Sequence, residues 1–356
     1  MRAPAGSAGG TGIDSTTPVA GRWNAEAPSA AVDVELGGRR YRWTEYTTHP
    51  TPTRAWSHHG VVVGPDGEGF IVASPDGRAL VHLNRGTARR SEDLDVTECH
   101  GMSVDAFDST YSIWIADNGH KYGYRDRGND LETDRPGQVI RTDQSGRVLQ
   151  RLDSRQLPAR AMGWRPTGVT SEAREQGGRV WVADGYGRSF VHCFSREGNL
   201  LWSSDGRDSG TAFNSPHGIL LDTRPVVPEL LIADRGNKRI VVLSTDGTFL
   251  RTFGAGSLTS PSGFAIHGNL LWVTELFGAI VAFDGHDRLA AVLGSGLQSS
   301  EDGWPNALDG EVVERPRLEA GTFRSPHGIA VNDSGSIAVS EWVIGGRLIL
   351  LTPVQE

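Results

Sequence analysis

The sequence is short of cysteine, of excess positive charge and of long apolar stretches. Its two cysteines, Cys99 and Cys193, form no Cys-x-x-Cys pair, which excludes a disulfide framework and a thiolate zinc site and favours a reducing compartment. The formal net charge of −8 gives no basic face for phosphate groups, so we expect no binding to nucleic acid. Since no run of about 18 apolar residues occurs, we expect no transmembrane helix and no membrane partner.

The N-terminal region lacks the apolar core of a signal peptide and is rich in Gly, Ala, Ser and Pro. A segment of this composition buries too little apolar surface to offset the entropy that folding costs. We therefore predict a disordered segment over residues 1–40, a folded domain over residues 41–356 and a cytoplasmic location.

Glycine is abundant, with 46 residues, and together with 18 prolines it indicates many tight turns between short strands. One motif recurs among these turns: a variable residue, then Gly, then an apolar run. It occurs as HHGVVV (58–63), CHGMSV (99–104), PTGVTS (166–171), PHGILL (216–221), PSGFAI (261–266) and PHGIAV (326–331). These copies divide the chain into six similar units.

Each motif is followed by further apolar strands that are separated by short loops and by turns such as Asp-Gly. The second strands read FIVAS (70–74), IWIADNG (113–119), VWVADGY (180–186), LLIADRG (230–236), LWVTELF (271–277) and IAVSEWV (337–343). Asp117, Asp184 and Asp234 recur in them after Ala, and we interpret these carboxylates as structural acceptors for loop N–H groups. Four strands in each of six units predict an all-β, six-bladed β-propeller.

The residue before the motif Gly begins the innermost strand, and the innermost strands of a propeller converge on its central channel. In repeat order this position holds His59, His100, Thr167, His217, Ser262 and His327. His100, His217 and His327 fall on alternate blades, which suits a tetrahedral Zn²⁺ with its fourth position open; another divalent metal is also compatible. A hydrogen-bonded core histidine is the alternative for each of them. The role of His59 is open between a fourth ligand, a proton donor and a structural residue.

The stretch IADRGNKRIVVLSTDGTFLRTFG (232–254) resembles the NHL repeat. Three histidines at this position of a six-bladed NHL propeller are similar to the zinc site of the peptidyl-α-hydroxyglycine α-amidating lyase family. In that family a catalytic Tyr follows Asp-Gly in the third blade and an Arg follows Ala-Asp in the next, where VADGYGR has Tyr186 and IADRGN has Arg235. The resemblance implies a zinc lyase that cleaves a carbinolamide, with Tyr186 as general base and Arg235 as substrate anchor.

Two features of the family have no clean counterpart in this sequence. Its first blade supplies another substrate-binding Arg, for which Arg78 is the candidate and Arg85 the alternative, and His59 is a further candidate for substrate binding. Its last metal-binding His is followed by an Asp that helps to bind a structural Ca²⁺. Here Gly328 follows His327, so the resemblance leaves a structural Ca²⁺ open.

We therefore expect a metal-dependent lyase that acts on a hydroxylated small molecule or a peptide-like carbinolamide in the central channel. A metal-dependent hydrolase of the lactonase type would use the same channel, although such propellers usually bind metal through Glu, Asn and Asp. A non-catalytic NHL scaffold would bind a protein on one face and hold no metal. Two insertions, 118–137 and 298–323, interrupt the repeats. The first is either a substrate lid or a solvated loop, and the second covers either the same face or the opposite one.

Overall fold

The computed structural model of the chain describes residues 22–24, 31–49, 53–84, 86–107, 110–124, 130–295 and 302–355. These residues form six antiparallel sheets arranged as the blades of a β-propeller, which confirms the predicted fold. Their helical structure consists of short 3₁₀ turns at Ser154–Gln156, Ala159–Ala161, Arg174–Gln176, Arg207–Ser209 and Arg235–Asn237. They contain no helix that is long and apolar enough to span a membrane.

The first three blades each contain four strands, which run from the channel outwards in chain order. Blade 1 consists of β4 (Val61–Val63), β5 (Phe70–Ala73), β6 (Leu80–Asn84) and β7 (Thr87–Arg90), with β1 (Arg22–Asn24) added at its outer edge. Blade 2 consists of β8 (Gly101–Phe107), β9 (Thr110–Asp117), β12 (Gln138–Thr142) and β13 (Val148–Arg151). Blade 3 consists of β14 (Gly168–Ser171), β15 (Val180–Asp184), β16 (Phe190–Phe194) and β17 (Leu200–Ser204).

The next two blades repeat this order, and two hairpins lie outside the blades. Blade 4 consists of β18 (Pro216–Asp222), β19 (Glu229–Asp234), β20 (Arg239–Ser244) and β21 (Phe249–Phe253). Blade 5 consists of β22 (Pro261–His267), β23 (Leu270–Glu275), β24 (Ala279–Phe283) and β25 (Leu289–Gly294). The hairpins β10 (His120–Tyr124) with β11 (Asp130–Asp134), and β26 (Ala307–Asp309) with β27 (Val312–Glu314), belong to the two insertions.

Blade 6 joins the two ends of the chain. Its inner strands are β28 (Pro326–Val331), β29 (Ile337–Glu341) and β30 (Arg347–Pro353), and its outer strands are β3 (Arg39–Tyr46) and β2 (Val32–Leu36). Strand β3 pairs antiparallel with β30, with Tyr41 opposite Pro353 and Tyr46 opposite Leu348. The chain is therefore closed into a ring by backbone hydrogen bonds between its N-terminal and C-terminal parts.

This closure corrects the predicted domain boundary. Strands β1 and β2 and the start of β3 lie within residues 1–40, which the composition had suggested to be disordered, and residues 1–21 and 25–30 lie outside the described residues. The physical reason is the alternation in β3, where Tyr41 and Trp43 are buried while Arg40 and Arg42 are exposed. One face of the strand thus completes the core of blade 6, and the folded domain begins before residue 41.

Hydrophobic clusters between neighbouring blades hold the ring together. One cluster joins blades 3 and 4 through Trp181, Phe213 and Ile232, and equivalent clusters occupy the other five blade contacts. The second and third strands, such as β15 and β16, are buried along their whole length because both faces contact another blade. This packing explains why those strands read as continuous apolar runs in the sequence.

Candidate functional site

The inner strands approach one another so closely at the axis that only Gly fits after each axial residue. A Cβ at Gly101 would lie 2.6 Å from the carbonyl oxygen of Thr167, and one at Gly168 would lie 2.5 Å from that of His217. The same carbonyl contact recurs at Gly60 with His100, at Gly218 with Ser262 and at Gly263 with His327. A Cβ at Gly328 would lie 2.6 Å from Oγ of Ser340 and 3.1 Å from the His59 carbonyl oxygen. The repeated Gly is therefore a steric requirement of the closed ring.

An acidic residue at the end of the second strand anchors the loop that leads to each axial residue in blades 2 to 6. Asp117 accepts hydrogen bonds from the N–H groups of Thr97 at 2.9 Å and Glu98 at 3.0 Å. The equivalent acceptors and N–H donors are Asp184 with Arg165, Asp234 with Asn214, Glu275 with Ser260, and Glu341 with Ser325. These bonds confirm the structural role predicted for the Ala-Asp carboxylates.

Three histidine rings meet on the axis. The ring centroids of His100 and His217 lie 4.8 Å apart, those of His100 and His327 lie 4.6 Å apart, and those of His217 and His327 lie 4.9 Å apart. None of the three is more than 3 % exposed. The structure therefore brings the three histidines of the alternate blades together in a nearly equilateral triangle.

Carbonyl groups of the following blade orient two of these rings. Nδ1 of His100 donates to the Thr167 carbonyl at 2.7 Å, and Nδ1 of His217 donates to the Ser262 carbonyl at 3.0 Å. A neutral ring that donates from Nδ1 keeps a lone pair on Nε2. Among the described residues, Nε2 of His100 and both ring nitrogens of His327 are buried without a hydrogen-bond partner. A bound cation would satisfy lone pairs of this kind, and the carbonyl contacts are those that orient metal-binding imidazoles.

Burial keeps these imidazoles neutral. It lowers the pKa of His100 to about 3. Burial also lowers the pKa of His217 and His327 well below the usual value, and the positive charge of Arg235 lowers both further. Since only a neutral imidazole has a lone pair to donate, the three rings fit a divalent metal ion at neutral pH.

The imidazole of His58 lies beside those of His100 and His327. Its ring centroid is 5.2 Å from that of His100 and 4.8 Å from that of His327. His58, His100 and His327 each offer a ring nitrogen within 4.8 Å of the other two, so this set and the predicted trio differ in one member. The sequence analysis missed His58 because the repeat alignment selects His59, the residue next to the motif Gly.

His59 itself points away from the axis. It is fully buried, and its Cε1 lies 3.0 Å from where a Cβ on Gly346 would be, so the ring is wedged against the loop between β29 and β30. Burial lowers its pKa to about 3. A ring in this position offers no surface to a substrate, which corrects the assignment of His59 to substrate binding and fits the structural alternative.

Tyr186 and Arg235 form one hydrogen-bonded series with His217. The Tyr186 hydroxyl lies 3.2 Å from Nε2 of His217, and Nη1 of Arg235 donates to the Tyr186 oxygen at 3.3 Å. Because Nδ1 of His217 is already a donor, its Nε2 is the acceptor and the Tyr186 hydroxyl is the donor. Nη2 of Arg235 also donates to Oγ of Ser262 at 2.7 Å. The structure thus places the two residues that the family resemblance suggested directly beside the histidines.

A buried ion pair connects the first insertion to this face of the propeller. Lys121 of β10 pairs with Glu98, and its Nζ also donates to the Trp56 carbonyl at 2.8 Å. Burial raises the pKa of Glu98 to about 7, and Lys121 opposes this shift. The Trp56 N–H donates to the Tyr122 carbonyl at 3.2 Å. The hairpin therefore lies on the histidine face, the position required of a lid.

The channel is narrow at the histidines and wider beyond them. A cavity of about 70 Å³ is lined by the axial residues of blades 2 to 6 and the glycines that follow them. A cavity of about 280 Å³ continues along the inner strands, lined by side chains that include Val63, Val104, Leu220, Ile266 and Val331. The smaller volume suits an ion and a few atoms, so the bulk of an organic substrate would lie outside the ring of histidines.

The remaining sequence candidates do not join the site. Arg78 is 56 % exposed and forms an ion pair with Asp93 at 3.5 Å, away from the axial rings, which corrects its assignment to substrate binding. Arg85 lies outside the described residues. Within the part of the chain that the structure describes, His58, His100 and His327 are the converging set of His, Cys, Asp and Glu side chains, so no carboxylate cluster there suits a structural Ca²⁺.

Comparison with known proteins shows the fold. No protein-family model matches the sequence, and no curated protein matches it. A gluconolactonase from Xanthomonas campestris is 14 % identical over 95 % of this chain and 99 % of that one, with a TM-score of 0.55. A virginiamycin B lyase from Staphylococcus aureus is 15 % identical over 88 % of this chain and 100 % of that one, with a TM-score of 0.52.

A streptogramin B lyase gives a similar match, at 13 % identity over 88 % of this chain and 98 % of that one, with a TM-score of 0.51. The overall fold of this chain is therefore similar to that of solved structures that include two lyases and a gluconolactonase. At these identities the likeness extends to the fold, and the chemistry has to be argued from the site itself.

Proposed function

We propose that this chain is a metal-dependent lyase, with Zn²⁺ as its metal, that breaks the C–N bond of a carbinolamide. The observation that carries the proposal is the meeting of three neutral imidazoles with the Tyr186–Arg235 pair at one end of the channel. Solved structures of similar fold include two lyases, which supports a lyase on this scaffold without fixing its substrate.

His100, His217 and His327 would hold the ion. We prefer His217 to His58 as the third ligand because its Nδ1 is fixed by a backbone carbonyl, as in His100, and because the three rings are equally spaced. A lone pair on Nε2 of His217 cannot serve a metal and the Tyr186 hydroxyl at once. Metal binding would therefore release that hydroxyl to face a substrate.

A divalent cation supplies Lewis acidity, which favours loss of a proton from a hydroxyl group held beside it. Tyr186, once its own hydroxyl proton has passed to solvent, is placed beside Nη1 of Arg235 to accept the substrate proton. The hydroxyl electron pair then forms the carbonyl, the C–N bond breaks with its pair on nitrogen, and nitrogen takes the proton from Tyr186. Nε of Arg235 also donates to the Pro261 carbonyl at 3.4 Å, and the remaining N–H groups on Nη1 and Nη2 can orient a substrate carboxylate.

The test is cleavage of N-acetyl-α-hydroxyglycine to acetamide and glyoxylate by zinc-supplemented protein. We expect glyoxylate release in the parent and a decrease of about 10²-fold or more in kcat for Tyr186→Phe, because Phe lacks the phenolate oxygen that would accept the proton. Tyr111→Phe is the matched control, since its hydroxyl lies near His82 and away from the axis. Glyoxylate release that is unchanged in Tyr186→Phe would contradict the proposed role.

The same assay separates the lyase from the hydrolase alternative. A six-membered lactone offered to the same protein would be opened by a metal-dependent hydrolase but not by the lyase. Lactone opening without carbinolamide cleavage would assign the site to a hydrolase of the gluconolactonase type, which occurs on this fold.

A further inference from the structure

A continuous row of aromatic rings leads outwards from the axial histidines. The His58 ring stacks on Trp342, with centroids 4.4 Å apart and planes 15° apart. Two branches start at Trp342. In the first, the ring centroids of Trp342 and Trp304 lie 5.7 Å apart and those of Trp304 and Phe277 lie 5.0 Å apart. In the second, the centroids of Trp342 and Trp56 lie 6.1 Å apart and those of Trp56 and Tyr122 lie 5.4 Å apart. We call Trp56, Tyr122, Phe277, Trp304 and Trp342 the aromatic wall.

The wall is assembled from the same structural positions as the candidate site and from both insertions. Trp342 directly follows Glu341 at the end of β29, as Arg235 follows Asp234 at the end of β19. Phe277 lies in the equivalent loop of blade 5. Tyr122 belongs to the hairpin of the first insertion, and Trp304 belongs to the second, so both insertions contribute to the histidine face.

Backbone contacts hold two of the tryptophans of the wall in place. The Trp342 N–H donates to the Ser325 carbonyl at 2.9 Å, and the Trp56 backbone is held by Tyr122 and Lys121. The Lys121 ammonium group is paired with Glu98. Tyr122 is 40 % exposed, and the other four rings are partly exposed. The five rings thus form a surface that a planar apolar group can contact through ring faces and edges.

We propose that the aromatic wall binds an aromatic acyl group on the nitrogen of the substrate, so that aroyl carbinolamides are preferred over alkyl ones. This inference rests on the proposed carbinolamide reaction for its placement of the substrate. With the carboxylate at Arg235 and the reacting carbon at the histidines, the acyl group extends away from the axis. The His58 ring bridges this distance, since its centroid lies 4.8 Å from that of His327 and 4.4 Å from that of Trp342.

The length of such a substrate fits this path. The reacting carbon, the amide nitrogen and the carbonyl carbon precede the aromatic ring, which places the ring centre roughly 5 Å from the reacting carbon in an extended trans amide at ordinary bond lengths. An N-acetyl substrate ends before it reaches Trp342, whereas an N-benzoyl substrate reaches it. One good contact between aromatic rings corresponds to about a tenfold difference in affinity.

The test uses stable analogues that cannot react, N-benzoylglycine and N-acetylglycine, with dissociation constants measured by calorimetry on the full, zinc-supplemented chain. We expect N-benzoylglycine to bind about tenfold more tightly than N-acetylglycine. Trp342→Leu should abolish this preference and leave the affinity for N-acetylglycine unchanged. Trp202→Leu, in the outer strand of blade 3, is the matched control and should keep the preference.

A second variant keeps the test informative if Trp342→Leu does not fold. Tyr122→Leu changes an exposed ring on the hairpin and should reduce the preference by about half or more on a logarithmic scale. Equal affinity of the parent for the two analogues would overturn the proposal, as would a preference that survives both Trp342→Leu and Tyr122→Leu. The protein could also prefer N-benzoylglycine clearly and yet cleave neither the N-acetyl nor the N-benzoyl carbinolamide. That result would support binding of the aromatic group at the aromatic wall and would overturn the proposed reaction.

Discussion

The residues at the repeat position before the motif Gly have two roles in the candidate site: some are the histidines, and others orient those histidines. The histidines of blades 2 and 4 receive their orientation from the residues that replace histidine in blades 3 and 5. The Thr167 carbonyl accepts from His100, the Ser262 carbonyl accepts from His217, and the Ser262 hydroxyl accepts from Arg235. Alternation of histidine with a small polar residue therefore supplies both the rings and the groups that hold them.

Burial of a neutral histidine makes the free energy of unfolding depend on pH. His192, which lies away from the axis, is an example. Its ring is fully buried beside Phe190, and Nδ1 lies 2.8 Å from Oγ of Ser203. Burial lowers its pKa from 6.5 to about 4. Between these pH values the unfolded chain binds a proton that the folded chain does not, so the free energy of unfolding decreases as the pH falls.

We predict that His192→Gln removes part of this pH dependence. Gln retains a hydrogen bond to Ser203 but does not titrate, so the parent should lose roughly 2 kcal/mol more unfolding free energy than the variant between pH 7 and pH 5. Urea unfolding followed by circular dichroism at the two pH values measures this difference. Parallel pH profiles for parent and variant would show that His192 is not held neutral by burial.

The sequence could predict the axial residues but not all of their neighbours. The phase of the repeat selects His100, His217 and His327 because, in blades 2, 4 and 6, the residue before the motif Gly faces the axis. His58 does not follow this pattern, because an isolated β-bridge between Trp56 and Ile344 of blade 6 positions the chain before blade 1. That contact joins segments that are distant in sequence, and no local sequence pattern predicts it.

At the scale of secondary structure elements, the outermost pair of strands in blade 6 comes from the other end of the chain. Trp43 of β3 is fully buried, its ring lies 4.8 Å from that of Phe323, and the Arg347 guanidinium lies 5.3 Å from the Trp43 ring. Arg347 also donates to Glu341 at 3.0 Å and pairs with Glu45. This strand therefore contributes core packing and ion pairs as well as backbone hydrogen bonds to the closure.

Trp43→Ala tests that closure. We predict a loss of about 3–5 kcal/mol in the free energy of unfolding, because the substitution leaves a large cavity in the core of blade 6. Chemical denaturation measures the loss. Leu250→Ala, at a 44 % exposed position of β21, is the control and should change stability by less than about 1 kcal/mol. A Trp43→Ala protein as stable as the Leu250→Ala protein would mean that β3 is not part of the folded blade.

The strand pattern of the inner and middle elements could be predicted from sequence, whereas the closing strands were missed. Continuous apolar runs mark the buried second and third strands of each blade. Strand β3 lacks the motif Gly and carries a different signal, the alternation of Arg40, Tyr41, Arg42 and Trp43. Reading that alternation as a half-buried strand would have found it. Composition alone pointed to disorder because the preceding residues are rich in Gly, Ala, Ser and Pro.

At the scale of the whole molecule, the ring turns distant sequence positions into one site. His100, His217 and His327 come from three blades, and Tyr186 and Arg235 come from the loops of blades 3 and 4. The aromatic wall comes from the segment before blade 1, both insertions and blades 5 and 6. The six-fold arrangement makes alternate blades meet at equal angles, which is the geometry that three imidazoles need around one ion. A metal centre is therefore the central claim about this propeller.

Metal content tests that claim most directly. The protein is purified without a metal-affinity tag, incubated with Zn²⁺, dialysed and analysed by inductively coupled plasma mass spectrometry. We predict about one zinc ion per chain in the parent and in His192→Gln, and none in a folded triple variant His100→Ala/His217→Ala/His327→Ala. His58→Ala and His217→Ala, measured singly, show which ring is the third ligand, and we expect the larger loss in His217→Ala. A parent that remains free of metal after incubation with Zn²⁺, or a folded triple variant that keeps its zinc, would contradict the account.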